Sequence, residues 1–168
     1  MPLIKHYEIT IKTHRLSLDP LLASHAQDMF PILSDSQLYG FTGDEPPESQ
    51  MALEERYRYL ETRKSPGESQ LWLNWLVTLE NNKTSIGYVQ ATVSESHTDI
   101  AWVIGLQWQG NGYASEAATA LVKWLQENDV KAIRSCIHPN HLASARVASN
   151  AGFSKSNATE DGEAVWML

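Results

Sequence analysis

A mixed α/β fold is predicted for this 168-residue chain, with antiparallel strands in its first half and a parallel crossover in its second, on three observations. Apolar-rich runs at 71–79, 85–93 and 98–106 follow one another through turns so short that neighbouring strands must be antiparallel. A two-glycine turn, Gly110-Asn111-Gly112, separates the last run from a segment whose small and apolar residues fall at 114, 117, 118, 121, 122 and 125, the spacing of a helix. The next apolar run, 132–138, is reached only through that helix and should therefore lie parallel to 98–106.

Taken in order, residues 9–18 place Ile9, Ile11, Leu16 and Leu18 at strand spacing before the turn signal Asp19-Pro20. Residues 22–33 have helical apolar spacing (Leu22, Ala26, Met29, Phe30, Leu33), with Ser24 placed to cap. Residues 34–49 are polar, hold Gly43 and Pro46-Pro47, and read as a loop. Tyr39, Phe41 and the carboxylates Asp44, Glu45 and Glu48 would suit the rim of an amine site, or the loop is a solvated connection with its aromatics tucked into the core. A second helix is expected over 51–64 (Leu53, Tyr57, Leu60), closed by Ser65-Pro66-Gly67. The strands at 71–79 and 85–93 are joined by Glu80-Asn81-Asn82-Lys83, and Trp72 and Trp75, on opposite faces, are expected to pack rather than bind. Beyond the glycine turn come a helix at 113–127, a strand at 132–138, a helix at 140–150 stopped by Gly152, and one or two closing strands in 154–168, the clearest at 164–168.

Bulk properties narrow the function. One domain spanning 1–168 is expected, since 42% hydrophobic residues can bury an ordinary core. A net charge of −7 disfavours nucleic acid and anionic membrane as partners and suits a cationic or amine-bearing one. The single cysteine, Cys136, cannot form an internal disulfide, residues 1–5 carry no basic-then-apolar leader, and the longest pure apolar run, 101–106, is too short to span a bilayer, so a cytoplasmic location is expected. No grouping at metal-ligand spacing appears, so no metal is expected, and there is no Gly-x-Ser-x-Gly nucleophile turn.

The glycine turn is the chemically informative stretch. At a helix start the first backbone N–H groups have no intrahelical partner, the dipole is positive, and glycine leaves no Cβ in the way of a phosphate. A Walker loop is excluded because Gly112 is followed by Tyr113-Ala114 rather than Lys-Ser/Thr. A dinucleotide fingerprint fits poorly, with Ser115 at the third small position and Ile137-His138-Pro139 where an acidic strand end belongs.

The pattern Gln107-x-x-Gly110-x-Gly112 before a small-residue helix resembles the acetyl-CoA pyrophosphate loop of the GNAT superfamily of N-acetyltransferases. About thirty residues on, 138–153 (His-Pro-Asn-His-Leu-Ala-Ser-Ala-Arg-Val-Ala-Ser-Asn-Ala-Gly-Phe) resembles the family's second signature, and 11–18 resembles the first strand of its Rim-type branch, whose characterised members acetylate ribosomal-protein N-termini. The resemblance implies a GNAT acyl-CoA N-acyltransferase fold: a mostly antiparallel sheet whose central parallel strand pair splays apart, flanked by helices. It implies acetyl-CoA as co-substrate, with Gln107, Gln109, Gly110, Asn111, Gly112, Tyr113 and Ala114 at the pyrophosphate and a backbone N–H of Trp102, Val103 or Ile104 as oxyanion donor. A base must free the amine of its proton; Asp99 or His97, two apart and on one strand face, is the candidate, with a solvated strand end as their bland role.

Where relatives carry a tyrosine as general acid this chain has Ala148, which leaves Ser144, water, or no acid at all for the departing thiolate. His141 stands where the family's CoA-contacting asparagine is expected, Ser144 lies nearby, and Arg146 could reach a CoA phosphate or merely solvate its helix. Cys136 is expected to be buried and structural, so acetyl transfer should be direct, in a ternary complex. The implied activity is N-acetylation of a primary amine, on a protein N-terminus or a small molecule, by a monomer or homodimer. A non-catalytic acyl-CoA-binding module is the second reading, and a nucleotide-binding protein of another class the third.

Overall fold

In the computed structural model, residue 4 and residues 6–168 are described, and the N-terminal leader reading over 1–3 and 5 lies outside them. Strands β1 (Ile11–Lys12) and β2 (Leu16–Pro20) are followed by helices α1 (Ala26–Leu33) and α2 (Gln50–Leu60). Strands β3 (Leu71–Leu79), β4 (Ser85–Val93) and β5 (Thr98–Ile104) come next, then helix α3 (Tyr113–Glu127), strand β6 (Ile133–Ile137), helix α4 (Leu142–Asn150) and the hairpin β7 (Ser154–Glu160) and β8 (Glu163–Met167). One eight-stranded sheet runs β1-β2-β3-β4-β5-β6-β8-β7, and β5–β6 is its parallel pair among otherwise antiparallel neighbours.

That pair is what positions the site. β5 and β6 are in register at Thr98↔Ile133 and Asp99↔Arg134 and no further, although β5 runs on to Ile104. β6 instead keeps its pairing with β8 from Arg134↔Met167 to Ile137↔Ala164. The two strands therefore part beyond Asp99, leaving a gap that opens toward the glycine turn.

Both faces of the sheet are covered. On one, Ala117, Ala118, Leu121 and Leu125 of α3 bury against Val89, Ile100 and Ile104, and Trp75 meets Trp124 edge to face at 5.1 Å. Full burial of a leucine such as Leu121 or Leu125 stabilises by about 1.5–3 kcal/mol. On the other, Leu21, Met29, Leu33, Leu53, Tyr57 and Leu76 form a second cluster under α1 and α2. Trp72 is half-buried beside Tyr59, so both tryptophans of β3 pack as expected.

Several boundaries differ from expectation for local reasons. The 9–18 strand is broken into β1 and β2 because Thr13 turns the chain, its N–H and hydroxyl both bonding Leu16 O. The first helix begins as a 3-10 turn at Ala23, and its entry is closed by His25 Nδ1 accepting from Leu22 N (3.1 Å) rather than by Ser24. α2 stops at Leu60, short of 64, where Arg63 takes a positive φ of 60°, and Ser49 caps its start. β5 ends at Ile104 because 106–108 form a 3-10 turn; a side chain at Gly105 would strike the Trp108 ring at 2.9 Å. β7 is complete although nearly all its residues are exposed, so no apolar alternation marked it.

Candidate active site

The glycine turn sits at the mouth of α3. Gly110 and Gly112 have φ of 78° and 80°, the left-handed conformation that glycine adopts without strain, and Gly112 is the residue that caps α3. Among the described residues none of the backbone amides from Gly110 through Ser115 donates to a protein acceptor; the first amide of this end to do so is that of Glu116, to Gly112 O (3.0 Å). Gly110, Asn111 and Gly112 are exposed, and nothing lies within 4 Å of where a Cβ on Gly110 would stand. Six consecutive unpaired amides, the first three on exposed residues and the rest on half-buried ones, stand at the positive end of a 15-residue helix and form a cradle for an anion of diphosphate size.

The cradle is braced by side chains that tie it to β5 and to the start of β2. Asn111 Nδ2 donates to Trp108 O (3.0 Å) and Gln109 O (3.2 Å), and Gln109 Nε2 donates to Ile104 O (2.8 Å), tying the turn to the end of β5. From β2 and its approach, Arg15 Nη1 donates to Asn111 O (2.9 Å), its guanidinium lies 4.5 Å over the Tyr113 ring, and its Nε meets Glu116 Oε2 at 2.7 Å. Glu116 Oε1 also accepts from Thr13 Oγ1 (2.6 Å) and Arg15 N (2.9 Å). Burial works against the Glu116 charge, but these bonds outweigh it and hold its carboxyl below the usual range. Gln107 is exposed on the 3-10 turn, and Ala114 is half-buried in the first turn of α3, beside Ser115, which accepts from Asn150 Nδ2 (3.0 Å).

Strand alternation decides which way the β5 amides face. Thr98 N donates toward β6, to Ala132 O, whereas Gly105 N donates toward β4, to Ile86 O. Even-numbered amides, Ile100, Trp102 and Ile104, thus point to the β6 side, and those of Asp99, Ala101 and Val103 point to β4. With pairing to β6 ended at Asp99, the Trp102 and Ile104 N–H groups face the gap, and the Val103 N–H does not. The Trp102 indole Nε1 is itself buried without a partner among the described residues, on a side chain packed against the α3-side core.

His97 and Asp99 do come together, at the closed end. His97 Nε2 lies 3.0 Å from Asp99 Oδ2, and His97 Nδ1 lies 2.8 Å from Ser96 Oγ. Arg134 clamps the same carboxylate through Nε (2.7 Å) and Nη2 (3.3 Å) and reaches Glu160 with Nη1 (2.8 Å). Hydrogen bonding to Asp99 raises the Arg134 pKa further, so the clamp is a permanent charge. Cys136 is half-buried; burial, then the Asp99 charge, push its thiol up, which keeps it protonated.

Across the gap, the β6–α4 turn carries His138 and His141. His141 stacks on Phe41 (centroids 4.6 Å, 20°), with His138 5.3 Å from the same ring, so the 34–49 loop reaches over the open end of the cleft. Burial, then His138, lower the His141 pKa, favouring the neutral imidazole. Ser144 is half-buried with no side-chain hydrogen bond among the described residues, Arg146 is exposed, and Ala148 is fully buried. Beneath the loop, on the α1–α2 side of the sheet, lies a cavity of ≈280 Å³ lined by Tyr39, Asp44, Glu45, Tyr57, Tyr88 and Gln90 among others. Tyr88 and Gln90 sit opposite Val103 and Ala101, one strand from the gap.

Arg15, Glu116, Tyr57, Tyr88 and the Phe41–His141 stack escape a sequence reading. Arg15 and Glu116 are 101 residues apart and follow no local pattern, and Tyr57 at helical spacing reads as ordinary core. Only the aromatics and carboxylates of the 34–49 loop, Tyr39, Phe41, Asp44, Glu45 and Glu48, gave a signal. Among the described residues no three His, Cys, Asp or Glu are grouped to hold a metal, and no helix is long and apolar enough to cross a membrane.

Residues 15–154 match the family pattern of the acetyltransferase (GNAT) domain. A comparison with curated proteins returns no match. Among solved structures, a GNAT-family acetyltransferase from Bacillus anthracis superposes with a TM-score of 0.78 at 19% identity, over 95% of this chain and 98% of that one. A protein described as a candidate ribosomal-protein-serine acetyltransferase from Vibrio cholerae gives 0.75 at 18%, over 96% and 97%. The aminoglycoside acetyltransferase AAC(6')-Ib in complex with coenzyme A gives 0.72 at 22%, over 90% and 92%. At these identities the likeness is one of fold.

Proposed function

The chain belongs to the GNAT acetyltransferase family, and from that premise we propose that it moves the acetyl group of acetyl-CoA directly to a primary amine within a ternary complex. The observation that carries this reading is the run of unpaired amides from Gly110 to Ser115 at the mouth of α3, beside a gap between parting parallel strands. The diphosphate would lie on those amides and the pantetheine arm in the gap.

In the gap the main-chain N–H of Trp102 is the donor we assign to the acetyl oxygen as charge builds on it, with Ile104 behind it; one such donor is typically worth ~10²–10³ in rate. The amine nitrogen attacks the acetyl carbon, the C–S bond breaks as the tetrahedral adduct collapses, CoA leaves as thiolate, and the nitrogen gives up its second proton to solvent to become the amide. A primary amine reaches neutral solution protonated and must lose a proton first. His97, backed by Asp99, takes that proton by way of water, and Asp99 balances the resulting imidazolium. Ser144 or solvent returns a proton to the thiolate, because Ala148 has none to give. The protonated Cys136 thiol is a poor nucleophile, which favours direct transfer over an acyl-enzyme. The acceptor enters from the α1–α2 side, past the Asp44 and Glu45 carboxylates at the cavity rim.

The test is turnover. Acetyl-CoA incubated with the protein should release CoA faster when primary amines, such as a peptide N-terminus or a small diamine, are added. Thermal stabilisation by CoA with no amine-dependent release would leave an acyl-CoA-binding module, the reading favoured by Ala148; stabilisation by NAD or ATP but not CoA would overturn both.

A further inference from the structure

We propose that Tyr57 is a specificity-determining residue, donating its hydroxyl to an oxygen on the acceptor, so that the preferred amines carry a carbonyl or hydroxyl close to the nitrogen. This rests on the acceptor side assigned above. Tyr57 is 4% exposed and lines the ≈280 Å³ cavity, and its Oη has neither solvent nor a hydrogen-bond partner among the described residues. A buried hydroxyl left unpaired is destabilising, and in a cavity the missing partner is most simply a bound group.

The neighbouring polar groups determine what that group can be. Tyr39 Oη is committed to Leu33 O (2.7 Å) and Asn74 Nδ2 to Trp72 O (3.2 Å), whereas Tyr88 and Gln90 make no side-chain hydrogen bond among the described residues. The cavity floor is thus neutral: burial pushes the Tyr88 phenol up to about 12 and raises Tyr57 as well, so both keep their protons. A second ammonium placed there would be desolvated with no carboxylate to meet it, since Asp44 and Glu45 are exposed at the rim, and it would share the cavity with the guanidinium of Arg56, also exposed. A neutral oxygen is matched by the phenol O–H. Gln90 and Tyr88 lie on β4, the strand that borders β5 on the side away from the gap.

The experiment compares L-alaninamide, glucosamine and putrescine as acceptors in the parent and in Tyr57→Phe, following CoA release. The two oxygen-bearing amines should exceed putrescine at least tenfold in kcat/KM, and whichever is higher identifies a peptide-like or sugar-like source. Tyr57→Phe should raise KM for that amine about tenfold while leaving putrescine and the acetyl-CoA KM unchanged and Tm unchanged or raised, since it deletes a buried, unpaired atom. Equal use of putrescine, or a variant indifferent to every acceptor, overturns the assignment while acetyl transfer itself stands. Should no amine be acetylated, the transferase reading fails on its own, and saturation-transfer NMR of alaninamide and glucosamine still decides: signals lost in Tyr57→Phe support the subsite, and signals absent or unchanged refute it.

Discussion

Replacing Gly112 by valine separates the cradle from the fold that carries it. At φ 80° a branched residue is strained by about 1–3 kcal/mol, and its Cβ would stand 3.4 Å from Arg15 Nη2, the movable tip of a partly exposed side chain. For a chain of this size each kcal/mol lowers Tm by roughly 2–4 °C, so the variant should stay folded with a Tm several degrees lower. CoA binding should suffer far more. A side chain at the head of the cradle displaces the diphosphate from at least two amides, each charge-assisted bond being worth about 1.5–3 kcal/mol, which together predict a 10²–10⁴-fold weaker Kd. Gly162→Val is the matched control: φ is 82°, nothing lies within 4 Å of the added Cβ, and the site is the β7–β8 turn. Calorimetric titration of CoA into both variants should show the loss in Gly112→Val alone. Equal CoA affinity in Gly112→Val and the parent, or an equal loss in Gly162→Val, would refute the reasoning.

Two other perturbations test what surrounds the cradle. Because the Glu116 carboxyl is held below its ordinary pKa in the folded state, its contribution is complete above about pH 5 and fades as pH falls through the folded value. Glu116→Gln should therefore cost about 1–2 kcal/mol at pH 7 and weaken CoA several-fold, with the Tm difference from the parent shrinking below about pH 4; a difference constant from pH 3 to 7 would count against the brace. His97→Ala should lower kcat by about 10²-fold with little change in Tm, whereas Asp99→Asn, which loosens the Arg134 clamp, should lower Tm as well. An unchanged kcat in His97→Ala would remove this pair from proton transfer.

The features that could be read from the sequence are those set by neighbours along the chain. Periodicity located α3 and strands β3 to β6, and Gly110 and Gly112 marked the turn because only positive φ makes two glycines one residue apart necessary there. The parallel sense of β6 followed from the helix before it. What depends on distant pairing was not legible. The turn at Thr13 serves a contact with Glu116 on another element, the β5–β6 parting follows from where β8 holds β6, and the 34–49 loop meets His141 through Phe41. The spacing of His97 and Asp99 indicated a shared face but gave no hint of Arg134, whose clamp changes what Asp99 can do.

The central claim is that main-chain nitrogens, not charged side chains, hold the diphosphate. The most direct measurement is a titration of ¹⁵N-labelled protein with CoA and, separately, with pantetheine, which lacks phosphate. The amides of residues 110–115 should move strongly with CoA and hardly at all with pantetheine, while the Trp102 amide responds to both. Loop amides that ignore CoA, or that move equally with pantetheine, would contradict the account.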